Sequence, residues 1–266
     1  MNILEEIIGY KRKEIALLIE QTPVKELESR KMFNRKTIPL TGSILNPLKT
    51  GIIAEFKRKS PSRGIINSEA NVGEVTMGYF CAGASGLSIL TDYKFFGGTN
   101  SDLSYARELN PVPILRKDFI IDEYQVIESK SIGADAILLI AAVLDKDEVL
   151  HLSRLARSLD LQVLLEVHNI HELDSVNEQV NIIGVNNRDL NNFKVNTELS
   201  IQLAGEIPQD FVRISESGIF SVQTIRKLKN AGYQGFLIGE SFMLTSDPVT
   251  SCRDFVKLIQ MDNDKG

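Results

Sequence analysis

The chain has 266 residues, 43% of them apolar and 24% charged, with a formal net charge of −5. These values describe an ordinary globular protein with enough length to bury a large core, as one domain or two smaller ones. A negative balance argues against a general nucleic-acid binder, so an anionic ligand must be met by locally placed cations.

The opening segment, Met1 to Glu20, carries Ile3, Leu4, Ile7, Ile8, Ile15, Leu18 and Ile19 at largely helical spacing. Lys11, Arg12, Lys13 and Glu14 are expected on its other, polar face. Thr22-Pro23 interrupts the pattern, and Pro23 can open a short second helix. Glu5 and Glu6 and the lack of a long apolar run argue against a signal peptide, and no stretch approaches the ~20 apolar residues of a membrane span. A cytoplasmic protein without membrane contact is expected.

From Gly51 onward, short apolar runs alternate with longer amphipathic segments. The runs are Ile52–Phe56, Leu87–Thr91, Val112–Arg116, Ala136–Ile140, Gln162–Val167, Ile182–Asn186, Phe211–Ser215 and Gly235–Ile238. Short runs rich in Ile, Leu and Val, separated by helices, are what buried parallel strands require. The intervening segments Asp122–Ile132, Asp145–Ser158 and Ser221–Ala231 begin on capping residues, and Gly133 and Gly232 follow two of them. Eight β/α repeats predict a (β/α)8 barrel rather than an open doubly wound sheet. Residues 1–48 then form an N-terminal helical extension and 49–266 the barrel, within one domain.

Of the two cysteines, Cys81 falls in an apolar helical stretch and is expected to be a reduced core thiol; neither it nor Cys252 has metal-ligand spacing.

In such a barrel the reacting groups come from the C-terminal strand ends and the loops after them. Those positions carry Glu55 to Ser62, Thr91-Asp92, Arg116 to Phe119, Glu166-Val167-His168, Asn186 to Asp189, Ser215 to Gly218 and Gly239-Glu240-Ser241. Residues two apart share a strand face, so Glu55 projects with Lys57, Leu115 with Lys117, Leu164 with Glu166, and Gly184 with Asn186. Charges of both signs converging on a barrel mouth suit proton transfer and anion binding. The structural alternative is an ion-pair network at the rim. Ser217-Gly218 and Gly239 to Ser241 follow strands seven and eight, where phosphate sites are often built from backbone N–H groups, with Ser60 and Lys57 as possible side-chain contacts.

The histidines are weaker candidates. His151 sits on a helix, and His168 and His171 have no third ligand at suitable spacing, so no metal is expected. Phe96, in the loop after strand two, is either a packing element or a cover for an aromatic substrate ring.

Taken together the motifs resemble the indole-3-glycerol phosphate synthase family of tryptophan biosynthesis, a (β/α)8 barrel with an N-terminal helical extension. The likeness runs from the opening helix through Glu-Phe-Lys-Arg-Lys-Ser-Pro-Ser, Leu-Arg-Lys-Asp-Phe, Leu-Leu-Glu-Val-His, Gly-Val-Asn-Asn-Arg-Asp-Leu, Ser-Glu-Ser-Gly-Ile and Ile-Gly-Glu-Ser-Phe-Met. It implies a carboxy-lyase that closes the indole ring of 1-(2-carboxyphenylamino)-1-deoxyribulose 5-phosphate with loss of CO2 and water, using no cofactor and no metal. By the same carry-over Lys117 is the general acid, Glu166 serves the later proton transfer, and Glu55 and Lys57 assist, with Lys57 also meeting the anthranilate carboxylate. Asn186, Arg188, Glu216 and Ser217 match further active-site positions. Ser60, Gly218, Gly239, Glu240 and Ser241 match the phosphate segments, and Pro61, Phe96 and Phe119 the wall around the anthranilate ring. The resemblance leaves open which of Lys57, Lys117 and Glu55 serves each proton step. For Lys117 to exchange protons readily, its pKa is expected to fall toward neutrality through burial or cationic neighbours such as Lys57 and Arg188.

Departures at Phe56 and Phe242 touch no charged role, and the chain's end soon after the eighth helix suggests no fused isomerase domain. Two rivals remain, a phosphoribosylanthranilate isomerase-like barrel and a non-catalytic phosphate-ligand binding protein. The expected partner is a small phosphorylated molecule, with no nucleic acid, and a monomer is expected.

Overall fold

The computed structural model describes residues 3–190 and 192–263. Eight parallel strands close into a barrel: β1 (Ile52–Phe56), β2 (Gly86–Leu90), β3 (Ile114–Lys117), β4 (Ala136–Ile140), β5 (Gln162–Val167), β6 (Ile182–Asn186), β7 (Val212–Glu216) and β8 (Gly235–Ile238). Each pairs with its sequence neighbours, and β1 pairs with both β2 and β8, so no edge is left. Helices follow the strands as the repeat predicts. Asp122, Asp145 and Ser221 cap the helices Glu123–Ser131, Lys146–Ser158 and Val222–Asn230, each accepting a backbone N–H from the first turn.

Three predicted strands shift by one or two residues. β3 begins only after Pro113, which has no N–H to give the ladder, and it runs on through Lys117. β7 runs on through Glu216, which pairs in register with Asn186 and Leu237. The shift places Lys117 and Glu216 inside the barrel wall rather than on the loops beyond it.

Strand alternation divides the core. Ile53, Leu115, Ala136, Leu138, Leu164, Ile182, Ile214 and Leu237 fill the barrel interior, while Ile52, Ala54, Ile137, Val163, Ile183 and Phe236 pack outward under the helices. Burying each large apolar side chain contributes roughly 1.5–3 kcal/mol. Leu40 and Ile44 belong to the inner group although they precede the barrel.

They come from the third of three helices ahead of β1: α1 (Ile3–Gln21), α2 (Val24–Ser29, opened by Pro23) and α3 (Leu40–Ile44). This stretch is tied to the barrel at both ends of the strands. At one end buried Asp135 takes Arg35 at 2.6 Å and the Ile38 N–H at 2.8 Å on one oxygen. Its other oxygen takes Arg107 at 2.7 Å and the Ile114 N–H at 2.8 Å. At the other end is Lys11, which lies on no polar outer face. Its side chain is 3% exposed, and its ammonium stands 2.9 Å from Asp92 and 3.1 Å from Asp118, with Glu14 also in contact. Burial would lower the Lys11 ammonium, but the carboxylates of Asp118, Asp92 and Glu14 outweigh it and hold it charged. The two aspartates beyond β2 and β3 explain the difference, since carboxylates buried there require a cation.

Cys81 is likewise corrected. It is exposed, while Cys252 is buried. The helix Val72–Cys81 buries Val72, Val75, Thr76 and Tyr79, and Cys81, two residues past Tyr79, falls on the opposite side. Among the described residues no helix is long and apolar enough to cross a membrane.

Candidate active site

One cavity opens at the C-terminal strand ends, and all sixteen residues singled out from the sequence line it. β1 supplies Glu55, and the segment after it Lys57, Ser60 and Pro61. Phe96 follows β2, and β3 supplies Lys117 with Phe119 beyond it. β5 supplies Glu166, β6 supplies Asn186 with Arg188 beyond it, and β7 supplies Glu216 with Ser217 and Gly218 beyond it. Gly239, Glu240 and Ser241 follow β8. Two glycines make room, Gly184 within β6 and Gly239 just beyond β8. A Cβ at Gly184 would lie 2.3 Å from the Glu216 carboxylate, and one at Gly239 would lie 2.6 Å from that of Glu55.

At the centre the Lys117 ammonium donates to Glu166 Oε2 at 2.7 Å and to Glu216 Oε2 at 2.6 Å. Burial alone would lower the Lys117 ammonium, but Glu166, Glu216 and Glu55 more than offset it and hold it above the ordinary lysine range. This reverses the expected fall toward neutrality. The neighbours that decide are carboxylates, whereas Lys57 pairs with Glu55 at 2.8 Å and Arg188 with Glu240 at 2.7 Å. One ammonium cannot fully compensate two buried carboxylates, so they divide. Glu166 stays well below the usual carboxylate range despite burial, drawn down by Lys117 and His168. Glu216 is pushed up to about 7 by burial, which Lys117 only partly offsets, with Glu166 and Glu55 adding repulsion. Lys117 in this state is a proton donor held by two potential acceptors.

The far side of the cavity differs in character. Arg63 and Arg188 both meet Glu240, at 3.1 and 2.7 Å. Ser217 and Gly218 are consecutive left-handed residues, with φ of 67° and 74°. For a serine that conformation costs roughly 1–3 kcal/mol. Asn187 holds it, its amide donating to the carbonyls of Glu216 at 2.9 Å and Ser217 at 3.1 Å. The short helix Glu240–Met243 starts at Gly239 with no side chain capping its first turn. The Ser241 hydroxyl is buried without a partner. Phe96 and Phe119 face each other with ring centroids 6.1 Å apart.

The chain matches the family model described as indole-3-glycerol phosphate synthase over residues 4–255. It belongs to the indole-3-glycerol phosphate synthase family. A protein of that name from Bacteroides thetaiotaomicron is 47% identical over 262 residues, covering 97% of this chain and 99% of its own. Another, from Albidiferax ferrireducens, is 40% identical over 252 residues, covering 93% and 95%. Among solved structures, tryptophan synthase subunit alpha from Legionella pneumophila superposes with a TM-score of 0.62 over 85% of this chain and 98% of its own. Thiamine phosphate pyrophosphorylase from Pyrococcus furiosus does so with a TM-score of 0.59 over 79% and 95%. At 11% and 12% identity these two show the barrel fold alone.

The cavity and its surroundings also contain residues to which the strand-end reading gives no role. Ile3, Leu4 and Ile7 of α1 line the cavity, so the helical extension forms part of its wall. Their apolar spacing was legible; their position over the barrel mouth was not. Leu190 and Phe193, from the loop after Arg188, line it as well. His168 is the larger omission, since it approaches Glu166 at 3.4 Å and Glu172 at 3.3 Å. His171 and His151 are exposed, His151 against Glu123. Among the described residues no group of three or more His, Cys, Asp or Glu gathers as metal ligands would.

Proposed function

We propose that this chain converts 1-(2-carboxyphenylamino)-1-deoxyribulose 5-phosphate to indole-3-glycerol phosphate with Lys117 as general acid and Glu166 as proton acceptor. The observation that carries the reading is the Lys117 ammonium fixed between Glu166 and Glu216, within a cavity that is also lined by Phe96, Phe119, Arg188 and the Gly239 to Ser241 segment. The substrate phosphate lies against the Ser217-Gly218 turn and the Gly239 to Ser241 segment, with Ser60 alongside. The partnerless Ser241 hydroxyl and the uncapped first turn after Gly239 support this placement. Glu240 contributes backbone there, because its carboxylate is already held by Arg63 and Arg188. The anthranilate ring lies among Pro61, Phe96 and Phe119, with its carboxylate toward Lys57.

In the first step the ring carbon bearing the carboxylate attacks the ketone carbon. A carbon–carbon bond forms, and the carbonyl oxygen takes a proton from Lys117. The bond to the carboxylate then breaks, its electron pair restores the aromatic ring, and CO2 leaves. Last, the new hydroxyl departs as water on receiving a second proton, and the adjacent carbon gives one up to Glu166. Glu55 assists by pairing with Lys57, and Asn186 and Glu216 orient the reacting hydroxyl. Arg188 and Ser217 complete the binding of the sugar phosphate.

We further infer that residues 1–48 and 49–266 act as one domain, since Leu40 and Ile44 join the barrel interior and α1 joins the cavity wall. The reading takes the protein as a cytoplasmic monomer that binds no nucleic acid. The net charge of −5 speaks against a nucleic-acid partner.

The test is to incubate the protein with the substrate at neutral pH, without added metal, and to follow indole fluorescence. Turnover is expected in the wild type, with a loss of at least about 100-fold in a folded Lys117→Ala variant. No wild-type turnover, or undiminished turnover in the variant, would overturn the reading.

A further inference from the structure

We propose that His168 is a positioning residue for this reaction: gripped by Glu172 at Nδ1, it presents a positive charge through Nε2 to the oxygen of Glu166 that Lys117 leaves free. The inference rests on the role given to Glu166 above.

The two oxygens of Glu166 are divided between two cations. Oε2 accepts from Lys117 at 2.7 Å, and Oε1 stands 3.4 Å from His168 Nε2. His168 does not line the cavity, so it can act on the substrate only through Glu166. Its own orientation is set by a tight turn. Glu172 Oε2 accepts the His168 backbone N–H at 2.7 Å and meets Nδ1 at 3.3 Å, while Glu172 Oε1 accepts from Asn169 at 2.6 Å. Asn169 in turn caps the 3-10 helix Ile170–Ser175 that carries Glu172.

A neutral imidazole has one N–H and one acceptor nitrogen, and so can face only one carboxylate with a donor. A ring between two carboxylates, one at each nitrogen, needs both protons. The Glu166 side chain is 3% exposed and those of His168 and Glu172 are 11% and 14% exposed, so solvent does little to weaken these contacts. The charged groups facing the ring are Glu166 from β5 and Glu172 from the 3-10 turn. On the packed helix Lys146–Ser158, Lys146 is engaged with Asp174 at 3.3 Å. Burial would discharge the imidazole, but the two carboxylates prevail and push its pKa up to about 10. Lys117, Glu166, His168 and Glu172 thus form a row of alternating charge from the barrel centre to its rim. A base that accepts a proton from carbon late in the reaction must stay ionised beside the substrate's own negative charges. His168 supplies the second cation that keeps it so.

The chain has three histidines, which makes ¹⁵N-imidazole NMR of the full-length protein direct. His168 is expected to remain doubly protonated at pH 8, and Glu172→Gln should lower the pH at which it loses a proton by at least about one unit. His168→Asn should lower kcat by about tenfold or more with KM changed little, because Glu166 is disturbed and the cavity lining is not. A purely structural residue would alter stability or KM and leave kcat of the folded variant near the wild-type value. A singly protonated His168 at pH 7, or wild-type kcat in a folded His168→Asn protein, overturns the proposal. If His168→Asn does not fold, Glu172→Gln decides alone, and an unshifted His168 titration overturns the proposal. The NMR result needs no turnover, so an inactive wild type would count against the assigned reaction and leave the clamp to be judged separately.

Discussion

Glu216→Gln is expected to make the protein more resistant to alkaline destabilisation while impairing its activity. Glu216 is 1% exposed, and its pKa is pushed from the ordinary 4.5 to about 7. Between those values the folded state binds a proton that the unfolded state has released, so stability falls as pH rises through the window and levels off above about 7. At roughly 1.4 kcal/mol per pH unit, the lost stability is about 3 kcal/mol. Glutamine keeps the shape and an acceptor for Lys117, and cannot ionise. Urea denaturation of wild type and variant at pH 5, 6, 7 and 8 reads this directly. The two stabilities should diverge by roughly 2–3 kcal/mol across the series, in the variant's favour at the alkaline end. Parallel curves would refute the reasoning, because they would mean that Glu216 ionises in the folded protein as readily as in the unfolded one. Turnover of the variant should fall at the same time, since Lys117 loses one of its two anionic partners.

Gly184→Ala should lower kcat by about 10- to 100-fold in steady-state assays, because the added methyl would lie 2.3 Å from Glu216 Oε1 and push that carboxylate off Lys117. Asp135→Ala should cost about 3–5 kcal/mol in chemical denaturation, since it strips Arg35 and Arg107 of their shared buried carboxylate and leaves the Ile38 and Ile114 N–H groups without it. In that variant kcat should change far less than stability, as Asp135 lies at the opposite end of the barrel from Lys117.

The barrel was legible because its signal is local. Eight apolar runs at regular spacing, each followed by a capped amphipathic segment, need no long-range information to be counted. The errors fell where a tertiary partner decides the outcome. Lys11 stands in a run of charged residues, and helical spacing alone assigns it to water. Its burial depends on Asp92 and Asp118, 81 and 107 positions further along. Cys81 was misjudged for the converse reason, because an apolar neighbourhood in sequence does not say which side of the helix meets the barrel.

The site follows the same division. The residue types at the strand ends, and their alternation toward the interior, place Glu55, Lys57, Lys117 and Glu166 around one space, whereas Glu216 enters as a residue beyond its predicted strand and through the family resemblance. Their charge states were not legible, because a pKa depends on distances among groups from different strands. From the sequence the Lys117 pKa is expected to fall toward neutrality through burial or cationic neighbours. In the fold its nearest charged partners are Glu166 and Glu216, from strands two and four positions along the barrel wall. The same arithmetic explains why the sequence assigns His168 no role. As a residue after a strand it had only a metal role to be weighed against, and no metal partner. With Glu166 two residues before it on β5 and Glu172 four residues after it, the ring is held by a turn that forms only once the 3-10 helix folds back onto the strand end. Sequence reading therefore recovers which groups meet in such a barrel, whereas the surplus of carboxylates over cations at its centre determines which of them carries the proton.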